Sequence, residues 1–205
     1  ITPSALTLSS GSTSNYTITY NTGTLTINAA ALTITGISIS NKVYDGNTTA
    51  TISGTAAYSG LVNGESFTVT GTPSASFANA NIGTAKAVTV TGYSAPSSNY
   101  SITQPTGLTA NITAASLTVT ASAQSKTYGG TAPTSGTLNT NFTVSGLQGT
   151  DAASGATFSY SGTPAGNTAT AAVGSYTITP SALTLSSGST SNYSITYSTG
   201  TLTVN

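Results

Sequence analysis

Six side chains supply all the ionic chemistry available to this 205-residue chain: Lys42, Asp45, Glu65, Lys86, Lys126 and Asp151. There is no His, Cys, Met, Trp or Arg. Ser is abundant, but a serine nucleophile needs a neighbouring base, and the sequence offers none. Three scattered acids do not make a pair spaced for general acid–base work. Calcium takes about six to eight oxygens, usually with several carboxylates, so Asp45, Glu65 and Asp151 are not expected to share a cation. The glycines lack the strand–turn–helix setting of a phosphate loop. These residues point away from an enzyme, and nothing among them calls for a cofactor or a metal.

Two smaller chemistries remain. Lys42 and Lys126 occupy matching places in two related stretches. A buried Lys can join an Asn through an isopeptide bond when an acid assists. Lys42 has Asp45 and Glu65 in its stretch, and Lys126 has Asp151. The plainer reading places both Lys on edge strands, where a charge blocks sheet-to-sheet pairing. Tyr44-Asp45-Gly46 reads as a turn: Gly tolerates positive φ and Asp accepts from nearby backbone N–H groups. Tyr44 would then anchor a core at a junction between modules.

Composition narrows the partners. Three Lys cannot line a groove that neutralises phosphates, so nucleic acid is not expected. No apolar run is long enough to insert directly into a membrane as a helix. Ser and Thr make up 77 of the 205 residues, so hydroxyls rather than charges keep the chain in water. A net charge of zero leaves copies little mutual repulsion, which favours association with copies of itself. Six Asn-X-Ser/Thr sequons occur. In so hydroxyl-rich a chain that is close to chance, so they carry no argument for glycosylation.

The chain repeats itself. Residues 1–28 align with 178–205 without a gap, at a shift of 177, and differ only at Thr17/Ser194, Asn21/Ser198 and Ile27/Val204. A weaker repeat lies inside that period: "ALTITGISISNKVYDG" at 31–46 resembles "SLTVTASAQSKTYGG" at 116–130, and "NYSIT" at 99–103 recurs at 192–196. The period is therefore two related modules, 29–113 and 114–205. Residues 1–28 correspond to the back half of a third.

Within the modules the local pattern is that of strands. Apolar and polar residues alternate at Tyr193–Tyr197 and Thr201–Val204, and Ser198-Thr199-Gly200 between them suggests a hairpin with a left-handed Gly. Similar runs lie at Leu32–Ile34, Phe67–Val69, Ala87–Val90, Leu117–Val119, Phe142–Val144, Phe158–Tyr160 and Tyr176–Ile178. No convincing helix is found. The expected fold class is all-β: tandem small β-sandwich modules, Ig-like or β-grasp-like, set end to end as an elongated rod.

The series Lys42-Val43-Tyr44-Asp45-Gly46, Phe77-Ala78, Asn81-Ile82-Gly83-Thr84-Ala85-Lys86, Asn99-Tyr100 and Gln104-Pro105 resembles the YDG domain of bacterial surface proteins. The following stretch, with Lys126-Thr127-Tyr128-Gly129, resembles the MBG (mostly beta, glycine-rich) domain of the YGX type. The resemblance implies tandem repeats of a large, filamentous-haemagglutinin-like bacterial adhesin. It implies a location outside the cell or on its surface and a role as stalk or spacer. It supplies no catalytic residues. On this reading 1–28 is the C-terminal half of an MBG-type module, 29–113 a YDG-type module and 114–205 a complete MBG-type module.

Two uses follow as expectations. The first is a structural repeat segment that packs against copies of itself or adjacent repeats. The second is a carbohydrate-binding module, in which the eleven Tyr would stack on surface glycans. In residues 1–28, Tyr16, Ile18, Tyr20, Leu25 and Ile27 are expected on strands whose edges could be completed head to tail by another chain.

Overall fold

A computed structural model describes residues 1–205. The first module contains β1 (Ala30–Ile39), β2 (Lys42–Val43), β3 (Thr49–Ala50), β4 (Ile52–Ser59), β5 (Thr70–Phe77), β6 (Gly83–Ser94), β7 (Tyr100–Thr103) and β8 (Thr109–Thr113). The second contains β9 (Ala115–Ala121), β10 (Gln124–Lys126), β11 (Ser135–Thr137), β12 (Phe142–Ser145), β13 (Ala152–Tyr160), β14 (Gly174–Ser187), β15 (Tyr193–Ser198) and β16 (Gly200–Val204). There is no α-helix, only single 3₁₀ turns at Thr13–Asn15 and Thr190–Asn192.

The two modules share one topology. The first pairs β4-β1-β7 in a three-stranded sheet and β2-β8-β6-β5-β3 in a five-stranded one; the second repeats this as β12-β9-β15 and β10-β16-β14-β13-β11. In each, two pairs run parallel: β1 with β7 and β2 with β8, matched by β9 with β15 and β10 with β16. The rest are antiparallel.

Alternation in sequence becomes alternation in burial. Along β9, Ala115, Leu117, Val119 and Ala121 are buried while Ser116 is exposed, because successive side chains point to opposite faces. Leu32, Leu117, Phe142, Ile178 and Leu202 are fully enclosed. Each contributes about 1.5–3 kcal/mol by burial. Phe142 and Phe158 meet edge to face in the second core, with centroids 6.2 Å apart. A contiguous cluster of 24 buried residues runs through both modules and the boundary between them.

Three local expectations need correction. Phe67–Val69 is not a strand; β5 starts at Thr70. Phe67 instead turns its ring edge to face on Tyr100, and Tyr58 Oη accepts from the Thr70 N–H at 3.2 Å. Tyr193–Tyr197 and Thr201–Val204 are strands but not a hairpin, because β15 joins the three-stranded sheet and β16 the five-stranded one. Gly200 has no positive φ. It is needed because a Cβ there would stand 2.5 Å from the Ala121 carbonyl oxygen. The connection crosses between sheets, which a local turn pattern cannot reveal.

The third correction concerns residues 1–28. They form no strand, so Tyr16, Ile18, Tyr20, Leu25 and Ile27 sit on irregular chain. The matching residues 178–205 are held by β13 on one side and β9 on the other. In this chain no copy of those strands lies beside 1–28, so Tyr16, Tyr20, Leu25 and Ile27 are exposed and only Ile18 of the five is half-buried.

Candidate functional site: the junction between modules

Only Ala114 separates β8 from β9, so the modules meet directly. The first module contributes the loop after β2. The Tyr44 N–H donates to the Thr113 carbonyl at 2.8 Å, which fixes the loop to the last strand of its module. Gly46 has φ +78, and Asp45 Oδ1 accepts from the Asn47 N–H at 3.1 Å. Lys42 then clamps the loop. Its ammonium pairs with Asp45 at 2.7 Å and donates to the carbonyls of Asn47 and Thr49 at 2.8 and 3.1 Å. Burial acts to raise the Asp45 carboxyl, but the hydrogen bonds and charge from Lys42, with those from Asn47, outweigh it and hold the group below the ordinary carboxylate range.

The second module contributes the receiving face. Tyr44, 5% exposed, packs edge to face on Tyr193, with centroids 5.4 Å apart and planes at 82°. Both hydroxyls donate to the same oxygen, Asp151 Oδ2, at 3.0 Å from Tyr44 and 2.6 Å from Tyr193. The Tyr193 oxygen also accepts from the Gln148 N–H at 2.9 Å. The Asp151 N–H donates to the Gln148 carbonyl at 3.0 Å, closing the turn that carries the acid. An edge-to-face pair is worth about 0.5–1.5 kcal/mol beyond burial, and a hydrogen bond to a charged acceptor about 1.5–3 kcal/mol.

Two backbone approaches complete the fit. Gly46 and Gly149 stand against each other across the boundary, so that a Cβ on Gly46 would lie 3.0 Å from the Gly149 Cα. Asn192, 1% exposed, accepts from the Ile82 N–H at 3.1 Å through Oδ1 and donates to Asn81 Oδ1 at 3.1 Å through Nδ2. Every polar side chain buried here therefore has a partner, as burial requires. The cost of losing water raises the phenols first, and the hydrogen bond to Asp151 raises them further. Tyr44 is pushed above its ordinary value and Tyr193 up to about 12.

The sequence singled out part of this. Lys42, Tyr44, Asp45 and Gly46 come together on one side of the junction. Lys126, Tyr128 and Gly129 lie at the far end of the second module, where Tyr128 is 60% exposed. Lys42 and Lys126 do lie on edge strands, but their ammonium groups turn inward to backbone carbonyls. Lys126 donates to Gly130 and Thr168 at 3.0 and 2.6 Å. It meets no Asn side chain. Lys42 touches Asn47 Oδ1 at 3.0 Å, but Asp45 beside it is held ionised and so is poorly placed to give the proton an isopeptide bond needs. Sequence reasoning did not place Asp151, Tyr193, Asn192, Gly149 or the Asn81-Ile82 pair at this junction; Asp151 was read only as an acid near Lys126 and Tyr193 only as a strand residue. The signal that could have found two of them is Asn-Tyr, recurring at 99–100 and 192–193.

Two eight-stranded sandwich modules of identical strand order, joined through a Tyr-Asp-Tyr contact, define the class of protein: a tandem β-module chain. Comparison with known families makes this specific. Residues 28–107 match the YDG domain, and residues 117–203 match the MBG domain of the YGX type. The chain thus carries one of each. No curated protein and no solved structure matches. No helix is long and apolar enough to cross a membrane.

Proposed function

We propose that the chain is a structural repeat segment, the stalk or fibre part of a bacterial extracellular adhesin. The observation that carries this reading is the junction. Two modules of one topology, separated by one residue, are locked by an aromatic pair, a shared carboxylate and an enclosed Asn. Such a boundary resists bending and shear, which is what a spacer must do and what an independent binding domain has no need of. The YDG and MBG domains support placement at the cell surface or beyond it. No enzyme activity is proposed, and the partners are copies of the same unit.

The carbohydrate reading has less support. A glycan platform needs exposed, coplanar rings, whereas the aromatic pairs here meet at 65–82°, and Tyr44, Tyr93, Tyr100 and Tyr193 are buried. The test is negative-stain electron microscopy of chains with one, two and four copies of the period. Particle length should grow in proportion to copy number. Compact particles, or specific retention on a glycan array, would overturn the stalk reading.

A further inference from the structure

The receiving face seen on the second module exists again on the first, where Phe67 of the same module, rather than a Tyr of another, lies against the aromatic ring. Tyr100 takes the place of Tyr193: each starts the strand that pairs with the first strand of its module, Tyr100 opposite Ala30 and Tyr193 opposite Ala115. Glu65 takes the place of Asp151. The Glu65 N–H donates to the Val62 carbonyl at 3.1 Å, as Asp151 does to Gln148. The Val62 N–H donates to the Tyr100 oxygen at 3.2 Å, as Gln148 does to Tyr193. Tyr100 in turn donates to the Glu65 carboxylate. The turn residues Asn63 and Gly149 share the same φ of +56. The face opens into a cleft of about 340 Å³ lined by Val62, Glu65, Asn99 and Tyr100 and by residues 27–30.

The inserting end exists twice as well. The Tyr128 N–H donates to the Asn205 carbonyl at 2.8 Å, as Tyr44 does to Thr113, and Lys126 clamps the loop as Lys42 does. Yet Tyr44 is 5% exposed and Tyr128 is 60% exposed; Ile82 is 38% exposed and its counterpart Val173 is 69% exposed. Each end of the unit thus carries one half of the contact already formed in its middle.

We propose that the free end of the MBG module docks on the free face of the YDG module of the next copy. Tyr128 enters the cleft beside Tyr100, whose ring keeps Phe67 against it, and donates its hydroxyl to Glu65. The Val173 N–H donates to Asn99 Oδ1, as that of Ile82 does to Asn192. The occupant is the next period of the same chain, because Asn205 corresponds to Asn28, and Asn28 leads directly into Ala29 and β1. A bond from Asn205 to a second Ala29 places the two halves in the relation that Thr113 and Ala114 create at the existing junction. The proposal rests on the stalk reading and adds to it that the fibre is rigid at both kinds of boundary.

The test uses the complete 205-residue chain extended at Asn205 by a second 29–205. The natural sequence has no Cys, so engineered pairs report without ambiguity. Asn81→Cys with Asn192→Cys, whose native side chains meet across the existing junction at 3.1 Å, is the reference. Ala172→Cys in the first copy with Asn99→Cys in the second occupies the equivalent positions. Under mild oxidation both pairs should close within one molecule, at a rate independent of protein concentration. Tyr128→Ala in the first copy, or Glu65→Ala in the second, should slow closure of the new pair by roughly tenfold or more, the scale of one charge-assisted hydrogen bond, and leave the reference pair unchanged. The proposal falls if the reference closes and the new pair does not, or if the new pair closes only between molecules. Micrographs of the same chains separate the two readings. Long but jointed particles without closure sink this docking and leave the stalk intact; compact particles sink the stalk as well.

Discussion

Residues 1–28 and 178–205 are nearly the same sequence in two surroundings, and they fold differently. In the later copy Ile178, Leu183, Leu202 and Val204 are 0–6% exposed; in the earlier one Ile1, Leu6, Leu25 and Ile27 are 49–87% exposed. The later copy supplies most of β14 and all of β15 and β16, and the earlier one has no strand. What they share is as informative. Both have a single 3₁₀ turn, capped by Ser12 or Ser189 in extended conformation, whose oxygen accepts from the N–H two residues on. Both have a glycine at φ +87, Gly11 and Gly188. Tyr20 Oη accepts from Leu6 N–H at 3.1 Å, and Tyr197 Oη from Leu183 N–H at 3.0 Å. Ile1 and Gly23 exchange backbone hydrogen bonds, as a register pair of Ile178 and Gly200 sits in β14 and β16. The segment thus keeps contacts of its own, spanning up to 22 residues, without its sheet, and the three differing residues are too conservative to explain the rest.

The comparison can be broken by removing either copy. Deleting 178–205 should abolish the cooperative unfolding of the second module, followed by circular dichroism, because it removes three strands and the filled centre of a sandwich. Deleting 1–28 should leave both modules' transitions in place. A matching loss from the second deletion would show that 1–28 holds structure not visible in its contacts. On a smaller scale, Leu202→Ala should cost about 2–5 kcal/mol in denaturant unfolding, the range for an enclosed Leu. Leu25→Ala, at 70% exposure, should stay within about 0.5 kcal/mol.

The junction sharpens the contrast further. A Cβ on Gly188 would fall 2.2 Å from Asp151 Cγ, while one on Gly11 meets nothing within 4 Å. Both glycines carry the same φ, so the difference between Gly188→Ala and Gly11→Ala isolates the tertiary clash, about 1–3 kcal/mol. Asp151→Ala should cost a similar 1–3 kcal/mol by leaving the Tyr44 and Tyr193 hydroxyls without an acceptor. It should also separate the melting of the two modules in calorimetry; a single unchanged transition would deny the carboxylate its coupling role.

The smallest expected effect is in alkali. The Tyr193 phenol is raised from 10.0 to about 12, so folding favours its neutral form. Its contribution is complete below pH 10 and fades as pH rises through about 12. Tyrosinate absorbance should show late-titrating phenols, Tyr193 and the raised Tyr44 among them, together with loss of the fold, and Asp151→Asn should bring the titration of both earlier. Asp45 works in the opposite sense. Its carboxyl is lowered, so its contribution is present above its ordinary value and lost as acid takes pH down through the lowered one. The Lys42 pair is partly exposed, and the effect is correspondingly slight.

Much of the fold was legible because β-structure writes a period of two into the sequence. Leu117 and Val119 on β9, or Leu202 and Val204 on β16, announce a strand and its buried face. The turn at Asp45-Gly46 was legible for a similar reason, since its hydrogen bond spans two residues. The candidate site was only half legible. Tyr44 stood out through its matched partner Tyr128, but its acceptor Asp151 is 107 residues away, and no local pattern joins them. The error at Ser198-Thr199-Gly200 has the same origin, because a connection between two sheets and a hairpin use the same residue types.

The sequence by itself determined the class of structure, the two related modules, the repeated end piece and the internal geometry that both copies of that piece retain. Each of these depends on the alternation of apolar side chains or on contacts inside a single segment. Only the tertiary structure decided which copy becomes strands, which sheet each strand joins, and that Tyr44, Asp151 and Tyr193 meet. A strand's ladder and its burial are supplied by other strands, so the same residues are sheet where partners stand beside them and irregular chain where none does.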